Sequence, residues 1–444
     1  ATATGNIWLA RQERHSKKRR NRRSPARAAP VRRLQLAIDE IGAQGDGVAT
    51  AEGEQVFVPL TAPGDVVVAD VQAGRARIVD FVEQSGVRRA PPCPHYGACG
   101  GCSLQHVEET FYREWKRNRV ASALARAGLN DVVLRDVVAM PAASRRRASF
   151  AVRRAANAWR IGFNRRRDSG VVDISGCIVL HADILARLPA LRQLAAAIGA
   201  TPADFSVTLC DNGLDADIAA RTATEPTGAA LSAVINAMRA ANVIRLSMNG
   251  ELVASLAPPV VNFDGVAVTP PHDAFLQASR EGEAALISLV SDACAGAQKI
   301  ADLFCGCGTF ALPLARSASV YAADSAAGAV TALDNGVRTA QAIGAKINPI
   351  EVEVRDLFER PLSAKELARF DAVVFDPPRA GAAAQVAEIA NSGAPLVVGV
   401  SCNPSTFARD ARMLVDAGYT LCDVTPVDQF VYSAHVELVG LFRR

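Results

Sequence analysis

The 444-residue chain contains no apolar run that reaches the roughly 18 residues needed to cross a bilayer. Its N-terminal region also lacks the apolar core and small-residue cleavage site of a secretory signal. These absences predict a cytoplasmic protein with no membrane partner, and they disfavour a disulfide framework. Because 50% of the residues are hydrophobic, a chain of this length is able to bury the cores of several domains.

Acidic residues are scarce at the start of the chain. Residues 11–33 contain eleven Lys and Arg against Glu13 alone, whereas residues 34–444 sum to −6 within a total net charge of +4. A segment this charged cannot form a core and attracts phosphates. Residues 1–33 are therefore predicted to be a disordered basic tail, for which a solubilising role and a nucleic-acid role both stay open.

Short strands separated by glycine-containing turns are predicted for the next part of the chain. They fall at residues 33–41, 55–59, 65–71 and 76–83. This close spacing is typical of a small OB-like β-barrel, which we expect to occupy residues 34–88. Such barrels often bind oligonucleotides, but a fold alone does not establish a function.

The ten cysteines are unevenly placed. Cys93, Cys99 and Cys102 lie close together, and Cys177 is the best candidate for a fourth ligand. Four thiolates hold an iron–sulfur cluster or a zinc ion. The three-plus-one arrangement favours iron–sulfur, since structural zinc sites usually pair two ligands with two more. We place this site in an α+β central domain over residues 89–262.

Arginine is concentrated after a predicted amphipathic helix at residues 107–128. Nine arginines fall within residues 145–167, interleaved with Phe150, Trp159 and Phe163. The alternating pattern predicts strands that present arginine on one face. Such a surface suits phosphate contact and base stacking, and we favour RNA contact over a merely solvated sheet face.

From Lys299 onwards the pattern repeats strand, loop and helix, which predicts a Rossmann-like α/β domain over residues 263–444. A Gly306-x-Gly308 turn after the first strand lets the backbone approach a nucleotide-like ligand. An acid or a thiol follows each of the next four predicted strands, namely Asp324, Asp356, Asp376 and Cys402. Because ligands bind at the carboxyl ends of parallel strands, these positions together predict a binding crevice, with Asp324 placed to bind ribose hydroxyls.

Two residues of this domain, Cys402 and Glu437, each have a catalytic and a structural interpretation. Cys402 follows a valine-rich strand, where a thiol is either a nucleophile or an inert half-buried side chain. Glu437 lies within an apolar segment predicted as the last strand. A carboxylate there is either part of a structural salt bridge or a catalytic acid or base with a raised pKa.

Four stretches of the chain together resemble the motifs of the RNA 5-methyluridine methyltransferases. Residues 302–310, 375–379, 401–404 and 435–437 read Asp-Leu-Phe-Cys-Gly-Cys-Gly-Thr-Phe, Phe-Asp-Pro-Pro-Arg, Ser-Cys-Asn-Pro and His-Val-Glu. The cysteine set is similar to the [4Fe–4S] site of the bacterial ribosomal members, and the barrel is similar to a TRAM domain. The resemblance covers nearly everything after residue 33.

The resemblance implies a class I methyltransferase that uses S-adenosylmethionine as methyl donor. By position it implies a set of side chains around the donor: Gln277, Phe304, Thr309, Asp324, Asp356 and Asp376. It implies RNA as partner, with 23S ribosomal RNA first and transfer RNA as the alternative. We expect the protein to act as a monomer.

The chemistry of uracil explains the two remaining residues. Uracil C5 is too poor a nucleophile to accept a methyl group directly, so a thiolate, Cys402, must first add at C6. A base, Glu437, must then remove the C5 proton. Two rival hypotheses remain: an exocyclic-amine methyltransferase, whose Asp-Pro-Pro motif is half matched, and a non-catalytic RNA-binding assembly factor.

Overall fold

The computed structural model describes residues 29–155, 158–166, 168, 170–221, 224–272 and 274–444. Most of the predicted basic tail therefore lies outside the described residues. Within the described part of the chain, no helix is both long and apolar enough to span a membrane.

The described residues form 24 strands and ten helices. The strands are β1 Arg32–Ala37, β2 Glu40–Ile41, β3 Gly47–Ala51, β4 Glu54–Val58, β5 Val66–Gln72, β6 Arg75–Glu83, β7 Val133–Leu134, β8 Val138–Ala139, β9 Arg147–Ala155, β10 Ala158–Asn164, β11 Val171–Asp173, β12 Ala203–Leu209, β13 Leu214–Ala219, β14 Val243–Met248, β15 Glu251–Ser255, β16 Val261–Phe263, β17 Val266–Val268, β18 Lys299–Leu303, β19 Ser319–Asp324, β20 Ile350–Val354, β21 Ala372–Phe375, β22 Leu396–Ser401, β23 Thr420–Asp428 and β24 Glu437–Arg443. The helices are Glu109–Arg126, Ala182–Ala186, Leu188–Ile198, Gly228–Ala241, Arg280–Ala293, Ala311–Leu314, Ala327–Ala342, Ala364–Leu367, Ala383–Ser392 and Pro404–Asp416.

The first six strands form one sheet in the order β1-β5-β6-β4-β3-β2 around an apolar core of its own. The predicted strand pattern did not include β3, and it joined β1 and β2 into a single strand. β3 begins with Gly47, and glycine is disfavoured in strands, so residue propensities do not predict this strand. Gly47 is required there because a Cβ atom would lie 2.1 Å from Oγ1 of Thr61.

The central sheet has seven strands in the order β11-β10-β9-β12-β13-β14-β15. All its neighbouring strands are antiparallel except β13 and β14. The helices Leu188–Ile198 and Gly228–Ala241 contribute to a core that also contains Phe150 and Phe205. This part of the chain is therefore α+β, as its sequence predicts.

The largest sheet has the order β20-β19-β18-β21-β22-β24-β23, with β7 and β8 pairing with β23. The strands from β20 to β22 are parallel, and β24 runs antiparallel to β22. Successive residues of a strand point to opposite faces, and Ile300 and Ala301 belong to different apolar clusters. Both faces of the sheet are therefore covered. Burial on both faces explains the continuous apolar runs of the parallel strands.

The helix Glu109–Arg126 joins the barrel to the largest sheet. Its residues Val120 and Leu124 share an apolar cluster with Leu414 of the helix Pro404–Asp416. At the other end, Nε1 of Trp115 donates a hydrogen bond of 2.9 Å to the Ile41 carbonyl in the barrel. This helix is two residues shorter at each end than its predicted range.

Candidate active site

The sheet topology places the predicted site residues at one edge. The carboxyl ends of the parallel strands meet there, and the antiparallel β24 begins at the same edge. Ser401 is paired in register with Leu438, so the residues next to them, Cys402 and Glu437, are neighbours. The two candidate catalytic residues are thus brought together by strand pairing.

A tight turn follows β18 at this edge of the sheet. Phe304, Gly306 and Gly308 all have positive φ angles, of 64°, 53° and 95°. A Cβ atom on Gly308 would lie 2.5 Å from Cδ1 of Leu333, so only glycine fits this turn. The backbone amide of Gly306 donates a 3.0 Å hydrogen bond to Asp324, which ties the turn to the next strand. Thr309 lies half-buried in the same turn.

Two aromatic rings stand beside the turn. The rings of Phe304 and Phe358 lie 5.5 Å apart, and Phe358 is largely exposed. Phe358 is held close by Asp356, whose carboxylate accepts a 2.9 Å hydrogen bond from the Phe358 amide. The sequence-based prediction named Phe304 and Asp356 but not Phe358, which has no signal beyond its position two residues after a strand-end acid.

Asp302 is a fully buried carboxyl group in β18. Neither of its oxygens has a hydrogen-bond partner among the described residues, although the Ala311 amide is close enough to lower its pKa. Burial raises the pKa of Asp302 well above its ordinary value, and the carboxylates of Asp376 and Asp324 raise it further. Sequence reasoning assigned no role to Asp302, even though it stands in the recognised motif.

Asp376 and Gln277 face each other on the same side. Nε2 of Gln277 lies 3.5 Å from Asp376, and Oε1 of Gln277 accepts a 2.8 Å hydrogen bond from Gln429. Burial, and then the charge of Asp324, raise the pKa of Asp376 to about 7. Asp376 is therefore close to both Gln277 and Asp324.

The environment of Glu437 favours its protonated form. Burial and the charge of Asp376 raise the pKa of Glu437 to about 8, against the opposing effects of Gln429, Arg379 and Lys116. Glu437 makes no ion pair of the kind expected for a structural salt bridge among the described residues. The geometry therefore favours the acid–base interpretation of this residue.

Cys402 is half-buried, and its surroundings favour the protonated thiol. Burial raises the pKa of Cys402 to about 11, the carboxylates of Glu437 and Asp376 add to the shift, and Arg379 opposes it. Nη2 of Arg379 lies 3.1 Å from Nδ1 of His435, at the same edge of the sheet. The carboxylates of Glu437 and Asp376 repel an ionised Cys402, so the thiolate depends on the positive charge of Arg379.

A cavity of about 620 Å³ is lined in part by Cys402 and Glu437. Its walls carry Cys402, Glu437 and Arg379 on one side, with Phe275 and Phe430 among the aromatic residues. This volume falls in the range of ligand-binding cavities. The cavity is therefore large enough for a nucleoside at Cys402.

The four predicted metal ligands line the same cavity. Cys93, Cys99, Cys102 and Cys177 are all free and half-buried. They are close enough that the charges of Cys177 and Cys93 raise the pKa of Cys99, after the larger effect of burial. Nevertheless, no group of three or more His, Cys, Asp or Glu side chains in the described ranges is arranged so that it could hold a metal ion. Four thiols are the ligand type of an iron–sulfur cluster, but the described side chains do not form a closed ligand geometry.

The arginine-rich strands β9 and β10 only partly present their arginines outwards. Arg145 and Arg147 lie over the rings of Phe430 and Phe275 at the cavity wall. Arg146 was wrongly grouped with them: it is buried and pairs with Glu283 at 2.6 Å. A buried guanidinium needs such a partner, which lies 137 residues away and leaves no local sequence signal.

Comparison with known proteins agrees with this geometry. A model of the family tRNA (Uracil-5-)-methyltransferase matches residues 261–444. An uncharacterized RNA methyltransferase of Caulobacter vibrioides is 45% identical over 92% of this chain and 99% of its own length. The 23S rRNA (uracil(1939)-C(5))-methyltransferase RlmD of Pectobacterium atrosepticum is 31% identical over 95% of this chain and 96% of its own.

Among solved structures, the Pyrococcus abyssi tRNA (uracil-54, C5)-methyltransferase in complex with S-adenosyl-L-homocysteine superposes with a TM-score of 0.72. It shares 22% identity, covering 92% of this chain and 99% of that one. This likeness supports the fold. The near full-length relatives, together with the matching family model, show that the chain belongs to the RNA (uracil-5-)-methyltransferases.

Proposed function

We propose that this enzyme methylates C5 of a uridine in 23S ribosomal RNA. The observation that carries the proposal is the register of β22 and β24, which sets Cys402 beside Glu437 at the edge of the donor crevice. The ribosomal substrate is supported by the 31% identical RlmD, which matches over nearly the whole chain. Transfer RNA is the second candidate, because the matching family model describes tRNA enzymes.

Cys402 acts as the nucleophile in this proposal. Its thiolate adds to C6 of the uracil ring, which moves electron density to C5. Bound S-adenosylmethionine supplies the methyl group as an electrophile. Glu437 then takes the proton from C5, the C5–C6 double bond reforms, and the bond between C6 and sulfur breaks to release Cys402. Glu437 must be ionised when it removes the proton. Its raised pKa then makes it a stronger base than an exposed glutamate.

The donor binds beside the turn that follows β18. The carboxyl groups of Asp302 and Asp376 are placed to ionise when a cationic sulfonium and ammonium bind, because a nearby positive charge lowers the pKa of a buried acid. Phe304 and Phe358 offer an aromatic wall for the adenine, and Asp324 is placed for the ribose hydroxyls. Gln277, Thr309 and Asp356 complete the proposed donor set.

The remaining parts of the chain bind RNA in this proposal. Residues 34–88 form a TRAM-like barrel, residues 89–262 a central RNA-binding domain, and residues 263–444 the methyltransferase domain of a monomer. The four cysteines hold a [4Fe–4S] cluster that shapes the RNA-binding cavity and takes no part in methyl transfer. Anaerobically purified protein should be brown and contain iron, whereas a colourless, zinc-loaded protein would refute the cluster.

Covalent trapping tests the catalytic proposal. RNA containing 5-fluorouridine should form a complex with the enzyme in the presence of S-adenosylmethionine, because a fluorine at C5 cannot be removed as a proton. The complex should be absent with Cys402→Ala. A wild-type enzyme that forms no complex would contradict the mechanism and favour an amine methyltransferase or a non-catalytic factor. Loss of 5-methyluridine from 23S ribosomal RNA in a deletion strain, with transfer RNA unchanged, identifies the substrate.

A further inference from the structure

Residues 429–436, here named the base loop, connect β23 to β24 and lead directly into Glu437. Phe430, Ser433 and His435 of this loop line the cavity. Tyr432 has a positive φ of 60°, a strained conformation for a tyrosine that its surroundings must hold in place. The position of Glu437 therefore depends on what fixes this loop.

Lys116 of the helix Glu109–Arg126 reaches the loop at both ends. Its side chain is fully buried, and its ammonium group donates a 2.7 Å hydrogen bond to Asp428, the last residue of β23. The same group contacts the carbonyl of Phe430 at 3.4 Å and donates to the carbonyl of His435. An ammonium group has three hydrogens, and all three are thus used on the start and the end of one loop.

Tyr112, which lies one turn before Lys116 on the same face of the helix, also binds the base loop. Its hydroxyl group donates a 2.5 Å hydrogen bond to Asp428 and accepts a 2.8 Å hydrogen bond from the Tyr432 amide. The Tyr432 carbonyl in turn accepts hydrogen bonds from the amides of Ser103 and Leu104. The strained residue is therefore held on both sides of its peptide backbone.

We propose that Lys116 is a positioning residue for proton removal: paired with Asp428, it closes the base loop and so sets Glu437 against the C5 proton. This inference rests on the proposed function, since it requires Glu437 as the base. A buried ion pair is a poor device for stability alone, because an apolar pair of similar volume is often as stable. The use of all three ammonium hydrogens on the loop is consistent with a role in its conformation.

The substitution Lys116→Met separates positioning from folding when two steps are measured. Complex formation with 5-fluorouridine RNA reports attack by Cys402 and methyl transfer, and it does not need Glu437. Release of tritium from C5 of ordinary uridine RNA reports proton removal. We expect tritium release to fall by about 10-fold or more, with complex formation within about threefold of wild type, since a misplaced base loses most of its contribution.

The pH profile of tritium release gives a readout that lost stability would not change. Glu437 is faced by Asp376 and Cys402, by Arg379, and by Lys116 itself. Removal of one of the two cations should move the rising limb of the profile to higher pH. Tyr112→Phe, which removes one hydroxyl group only, should give the same selective defect in smaller measure.

Arg245→Met is the matched control, because Arg245 forms an equally short ion pair with Asp215 in the central sheet, away from the loop. It should leave the ratio of the two rates unchanged. If Lys116→Met does not fold, Tyr112→Phe and the double variant Lys116→Met, Asp428→Asn decide the question. Equal loss of both rates, or no loss of either, in a folded variant would overturn the positioning role. Failure of the wild-type enzyme to form the complex would instead overturn the proposed function.

Discussion

At the scale of single residues, the active site combines two groups that both prefer to be protonated. Burial raises the pKa of Cys402 to about 11 and that of Glu437 to about 8, and each carboxylate nearby makes the thiolate less favourable. A neutral Glu437 therefore helps Cys402 to ionise in the first step. The same residue must lose its proton before it acts as base in the last step, so the two steps need opposite states of Glu437.

Glu437→Gln tests this division of labour. The amide keeps the shape of the carboxyl group and stays neutral, so Cys402 should still add to C6 and the methyl group should still be transferred. Proton removal should slow by about 100-fold or more, the scale of lost general-base catalysis. A methylated covalent complex should then accumulate with ordinary uridine RNA, measurable by denaturing gel and mass spectrometry. Unchanged turnover would show that another group is the base.

The same substitution should change stability in a pH-dependent way. In the folded protein the pKa of Glu437 is about 8, compared with an ordinary value of 4.5. Between these values the folded state binds a proton that the unfolded state lacks, so this group stabilises the fold at low pH and the benefit is lost as the pH rises to 8. The Tm of Glu437→Gln, measured relative to that of wild type, should thus be higher at about pH 8.5 than at about pH 5. An equal difference at both values would mean that Glu437 is not buried as a neutral acid.

At the scale of secondary-structure elements, the sequence predicted what depends on local patterns. The apolar runs predicted the parallel strands at residues 300–304, 319–323, 350–355, 371–375 and 396–400, each within one residue of the observed bounds. It could not predict contacts made by strand pairing and long-range packing. The antiparallel insertion of β24 between β22 and β23 and the pairing of Lys116 with Asp428, which is 312 residues away, have no local signature.

Substitution of Gly308 tests the turn between β18 and the helix that follows it. Its φ is 95°, and a methyl group added there would lie within 3.2 Å of both Leu333 and Leu312, so Gly308→Ala should both strain the backbone and crowd the core. We expect a loss of about 1–3 kcal/mol in the free energy of unfolding. Donor affinity should fall as well, because the turn lines the proposed donor site; thermal denaturation and calorimetric titration measure the two effects.

Gly306→Ala provides the comparison, since its added methyl group would meet no atom within 4 Å although its φ is also positive. It should show the backbone strain without the crowding, and hence a smaller loss of stability. Equal losses in the two variants would indicate that the conformation alone, and not the contact with Leu333, requires glycine at position 308.

At the scale of the whole molecule, the charge is divided between a basic start and a mildly acidic remainder. Residues 1–28 contain nine Lys and Arg against Glu13 alone. Each cation that neutralises a phosphate releases counterions, so it contributes to the slope of log affinity against log salt. A chain that begins at Ala29 should bind RNA more weakly at low salt and with a shallower salt dependence. Its methyl transfer at saturating RNA should be unchanged, because the proposed site residues all lie from Cys93 onwards.

Filter binding at several salt concentrations separates charge from chain length. Replacing Lys17, Lys18, Arg19 and Arg20 by serine keeps the length and removes four charges, so the slope should become shallower by up to about three units for single-stranded RNA. A slope equal to that of wild type in both variants would mean that the basic segment does not contact the RNA. The phosphate contacts would then have to come from the arginines of β9 and β10, because residues 34–88 contain three Arg against nine Asp and Glu.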